Sequence, residues 1–166
     1  MSIGRQLFRI ICILQMLVTV YLGFISLTSL IRSGSFYYML EAIFFFLIAS
    51  LAIFGLNLLH TNYPNRPVMG KQKSVFNWLF LFNFLLLAFL FGVFFSEYRL
   101  LNTLREFSGK PLLSLPFKTL LPLLTALTIL VFQFIILYGM YTLRIELYVN
   151  FNRNKQFEFE EEKTSQ

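Results

Sequence analysis

The chain has 166 residues, 57% of them hydrophobic and 13% charged, with a mean hydropathy of +0.69 and a formal charge of +6. A soluble domain carries about 25% charged residues and under half apolar ones, so a chain of this composition cannot clothe its surface in water and belongs in lipid. It has no Asp, and four of its eight acids (Glu158, Glu160, Glu161 and Glu162) fall in the last nine residues, which leaves the apolar body nearly without carboxylates and weighs against acid/base enzymes.

Four predominantly apolar spans are read, over residues 10–31, 38–59, 74–96 and 119–143. At about 1.5 Å per residue the uncharged runs within them reach about 27 to 38 Å, enough for a hydrocarbon core of about 30 Å. Lipid offers the backbone no hydrogen-bond partners, so each span is helical. The expectation is an all-α integral membrane protein, a four-transmembrane-helix bundle over residues 1–143 followed by a tail over 144–166.

The first span follows Arg5 and Arg9. It is too long for a signal-peptide core, and Ser33-Gly34-Ser35 is no cleavage site, so it reads as a mature helix. Cys12, the one cysteine, excludes an internal disulfide and any CxxC site and reads as a small apolar residue. Gln15, Thr19, Gly23 and Ser26 recur at helical spacing as a small, polar stripe suited to packing. The Ser-Gly-Ser turn leads to Phe36-Tyr37-Tyr38, an interfacial aromatic cluster. Glu41 follows, and an interfacial ion pair between Arg32 and Glu41 is expected there.

In the second span Ala42, Ala49, Ala52 and Gly55 allow a neighbouring helix to come close. His60, the one histidine, reads as a solvated anchor at the span's end. The next loop holds Pro64 and Pro67 and cannot be helical throughout. After the third span, Leu100, Leu101, Leu104 and Phe107 recur at helical spacing, which predicts a short amphipathic helix on the membrane surface within residues 97–118, ended by Ser108-Gly109-Lys110-Pro111. Pro122 is expected in the first turn of the fourth span, where its missing N–H costs little. Beyond Arg144, apolar and polar residues alternate around Asn152-Arg153-Asn154-Lys155. Two readings stay open for this tail: a β-hairpin, or a helix running on to about Phe151 with an unstructured remainder.

Lys and Arg number nine on the side of the termini and five on the other. The positive-inside rule therefore puts both termini in the cytoplasm, with the protein in the plasma (inner) membrane. The same charge in a soluble protein would suggest nucleic acid; here it sits between apolar runs and sets topology, so no nucleic-acid partner is expected.

No phosphate loop, HExxH, CxxC or His pair is present, so no catalytic residue, metal or cofactor is expected. The buried amides are the informative groups. Gln15, Asn57, Asn83 and Gln133 fall in the half of the membrane nearer the termini, and are expected to bond across helices as an intramembrane polar network. These features point to a non-enzymatic accessory or scaffold subunit whose partners are the bilayer and other membrane chains or its own copies. The alternatives are a component of an oligomeric channel or transporter, and a lipid-active enzyme.

Overall fold

The computed structural model describes residues 3–109 and 116–164, and all its regular structure is helical. Four helices follow in order: α1 (Ile3–Ser33), α2 (Phe36–Thr61), α3 (Gly70–Ser108) and α4 (Phe117–Thr164). Each is long and apolar enough to cross a membrane. The four expected spans lie inside them.

α1 stops because Gly34 adopts the left-handed conformation (φ 63°) and its N–H bonds back to Leu30 at 2.8 Å, a cap that favours glycine for want of a Cβ. Ser35 is extended and starts α2 at once, so α1 and α2 form a tight antiparallel hairpin, the most extensive helix pairing in the fold. The stripe Gln15, Thr19, Gly23 and Ser26 is buried along it, as are Ala42, Ala49, Ala52 and Gly55 of α2. α3 packs on α4, and α1–α4 and α2–α3 contacts close the bundle.

The tightest approach centres on Phe8. A Cβ at Gly139 would run into the Phe8 ring, and one at Gly55 would come within 3.2 Å of it and 3.0 Å of Met140 Sδ. Two glycines on two helices thus make room for one aromatic ring. Cys12 lies buried beside this contact.

Three expectations need correction. Residues 97–108 do not form a separate surface helix; they continue α3, which runs unbroken for 39 residues and ends at Gly109, again left-handed (φ 62°). Nothing in that stretch breaks a helix before Gly109, and forming a new helix would require a second costly nucleus. Lys110 and Pro111 lie outside the described residues. The tail forms neither a hairpin nor a helix ending near Phe151, because α4 continues to Thr164. A helix satisfies its backbone within the segment, whereas a lone hairpin is marginal. Pro122 sits past the first turn, inside α4, where it removes one backbone hydrogen bond. At about 1.5 Å per residue, α3 and α4 measure about 58 and 72 Å, well beyond the hydrocarbon thickness.

Candidate functional site

Three of the four expected amides meet in the bundle core. Gln15 from α1, Asn83 from α3 and Gln133 from α4 are each fully buried. Gln133 Nε2 donates to Asn83 Oδ1 at 2.7 Å, and Gln15 Nε2 donates to Gln133 Oε1 at 3.5 Å. Asn83 Nδ2 donates to the Leu79 carbonyl of its own helix at 2.9 Å and to the Leu47 carbonyl of α2 at 3.3 Å. The chain of amides therefore joins all four helices at one level. Thr19 donates to the Gln15 carbonyl at 2.7 Å and needs no other partner. Gln15 Oε1 is buried without a hydrogen-bond partner.

Asn57 does not belong to this network. It is exposed, because α2 turns Ile48, Leu51, Ala52, Gly55 and Leu58 inward. At 100° per residue Asn57 then points away from that face.

The expected Arg32–Glu41 ion pair is also absent. The hairpin turns at Gly34 and Ser35, so a residue before the turn meets one at a similar distance after it: Cys12 meets Gly55, Gly23 meets Phe46, and Ser26 Oγ donates to Glu41 Oε2 at 3.0 Å. Arg32 lies six residues beyond Ser26, about 9 Å further along the helix. It is exposed in the last turn of α1, where a cation suits the helix dipole.

Glu41 and Glu97 line a cavity of about 890 Å³ between α2, α3 and α4, walled mainly by Leu and Phe side chains. Neither has an ion-pair partner among the described residues.

The ion pair among the described residues joins Arg5 of α1 to Glu146 of α4. Arg5 is 8% exposed. Its Nε donates to Glu146 Oε2 at 2.8 Å, and its Nη1 donates to the Gly139 carbonyl at 3.3 Å and to Thr142 Oγ1 at 3.4 Å. Tyr63, in the α2–α3 loop, lies near the same carboxylate. Burial, with the Glu146 charge added, raises its phenol above the ordinary value. The sequence does carry a signal for this latch: Arg5 and Glu146 flank the first and fourth spans at similar distances on the same side. The strand-like alternation of the tail masks it.

Asn62 is buried and organises the α2–α3 loop. It donates to Pro67 O at 3.4 Å and to Gln72 Oε1 at 3.1 Å, and accepts from Thr61 at 2.6 Å. Among the described residues no group of His, Cys, Asp and Glu is arranged to hold a metal ion.

Comparison with protein families, with characterised proteins and with solved structures finds no match to this chain. Function has to be argued from its own residues.

Proposed function

We propose that this chain is a non-enzymatic accessory or scaffold subunit that packs another membrane helix against α3. The observation that carries the reading is a seam on α3. Trp78, Phe82, Leu85, Phe89, Gly92 and Ser96 follow one another at steps of four and three, and every one is exposed. That is the spacing at which one helix presents a continuous edge to another. The seam also ends in Gly92 and Ser96, a small-xxx-small pair that lets helix backbones approach closely in membranes. A Cβ at Gly92 would meet nothing within 4 Å, so packing within this chain does not account for a glycine there. The amide chain and the Arg5–Glu146 latch hold the four helices together, which suits a scaffold.

Crosslinking tests the reading. Ser96→Cys in native membranes should form an adduct, with a second copy or with another membrane chain. Gly92→Leu should abolish the adduct without lowering the melting temperature of the purified chain. A monomer that forms no adduct in native membranes sinks the proposal.

A second reading, a component of an oligomeric channel or transporter, draws on the cavity that Glu41 and Glu97 share. Cation flux from proteoliposomes that falls in Glu41→Gln would favour it over the scaffold.

A further inference from the structure

At the end of the bundle that carries both termini, the α2–α3 loop and α4 enclose a cavity of about 690 Å³, within the range of ligand sites. Val68, Met69, Ile145 and Tyr148 give it largely apolar walls, and two cations line it, Lys73 from the first turn of α3 and Arg144 from α4. No acid is among its lining residues. The nearby Glu146 is held by Arg5.

Arg144 is held in place but not neutralised. Its Nη1 donates to Asn77 Oδ1 at 2.9 Å, and its guanidinium lies 4.9 Å from the centre of the Phe76 ring. Both partners are uncharged, so the full positive charge remains. Lys73 has no ion-pair partner among the described residues. Met69 and Gly70, at the start of α3, belong to the same wall. Met69 makes no side-chain cap, and the first turn holds no acid, so the positive end of the helix dipole adds to the two cations.

We infer that this cavity binds the phosphate headgroup of an anionic membrane lipid, with the acyl chains lying along Ile145 and the neighbouring face of α4. Two uncompensated cations beside apolar walls suit a ligand that is an anion at one end and hydrocarbon at the other. A soluble phosphate would satisfy the cations and leave the walls unoccupied. Cations that serve only to set topology need neither a shared cavity nor apolar walls. Arg153, exposed on the same helix and outside the cavity, represents that ordinary role and serves as the control.

The test is native mass spectrometry of the full chain, released from mild detergent with equal amounts of phosphatidylglycerol and phosphatidylcholine. Each basic group near the surface is worth roughly five-fold in affinity for an anionic lipid. The wild-type chain should therefore retain phosphatidylglycerol in marked preference, and Lys73→Gln with Arg144→Gln should lower that preference by about 25-fold. Arg153→Gln should leave it unchanged. If the double variant fails to fold, Val149→Trp, which fills the cavity from an exposed position, should lower retention with both cations in place. Glycerol 3-phosphate at the lipid's concentration should not displace it. Equal retention of the two lipids, an unchanged preference in the double variant or the filled-cavity variant, an equal loss in Arg153→Gln, or displacement by glycerol 3-phosphate would each overturn the inference.

Discussion

Replacing Gln133 with Leu removes the middle member of the amide chain without much change in side-chain volume. The 2.7 Å bond to Asn83 Oδ1 disappears, and that oxygen, fully buried, is left without a donor. An interhelical bond in a membrane is worth about 0.6 kcal/mol on average and up to about 1.7. An orphaned buried acceptor costs about 1 to 3 kcal/mol. Together these predict a loss of about 2 to 5 kcal/mol. Asn83→Leu should cost at least as much, since it also gives up the bond to the Leu47 carbonyl. The double variant should lose no more than the worse single one, because removing both partners leaves neither orphaned. Gln15→Leu should behave differently. Its Oε1 is already unpartnered and its one bond is long, at 3.5 Å, so one unpaired oxygen is exchanged for another and stability should change by less than about 0.5 kcal/mol. Reversible unfolding in mixed micelles with increasing SDS would measure all four variants. A loss below about 1 kcal/mol for Gln133→Leu, additive effects of Gln133→Leu and Asn83→Leu, or a Gln15→Leu cost equal to that of Gln133→Leu would show that the amides do not act as one chain.

The same small substitution should have opposite signs at two glycines. Gly92→Ala meets open space and gains up to about 1 kcal/mol of helix propensity, whereas Gly139→Ala drives a methyl into the Phe8 ring and should lose about 1 to 3 kcal/mol, recovered in part by Phe8→Leu; the same unfolding assay reads both. Arg5→Ala leaves the Glu146 carboxylate, 34% exposed, without its cation and should cost about 2 kcal/mol, less than for a fully buried pair. A double-mutant cycle with Glu146→Ala should return a coupling of about 1 kcal/mol or more, and zero coupling would show that the latch contributes nothing. Tyr63 binds its proton more tightly in the folded chain than in the unfolded one, whose phenol titrates at its ordinary value of 10.0. Its contribution to stability is therefore intact below that pH and is lost as the pH rises through the higher folded value. Melting temperatures between about pH 9 and 12 should fall less steeply in Tyr63→Phe.

Some of this architecture is written locally and could be read directly. Hydropathy over some twenty residues decides where a helix can sit in lipid, and the four spans follow from it. The stripe Gln15, Thr19, Gly23 and Ser26 was legible because helical spacing puts those residues on one face, and their small or polar character marks that face as inward. The depth of Gln15, Asn83 and Gln133 was legible too, since rise per residue is constant. The left-handed stops at Gly34 and Gly109 fall where Ser-Gly sequences mark them.

Rotation and register are not local. Asn57 has the depth of a network member, but α2 is turned by its row of small residues so that Gly55, not Asn57, faces Phe8 and Cys12. Glu41 is near Arg32 along the chain, yet the hairpin sets it opposite Ser26. Among the described residues, the carboxylate seen to pair with an arginine, Glu146, is 141 residues away from Arg5. Composition and period settled where the four apolar spans are helical and at what level along the bundle the core amides lie, because those depend on a residue and its near neighbours. Which polar group meets which was decided only when four helices chose their rotations together, since one aromatic ring fitting over two glycines fixes the angle of three helices at once.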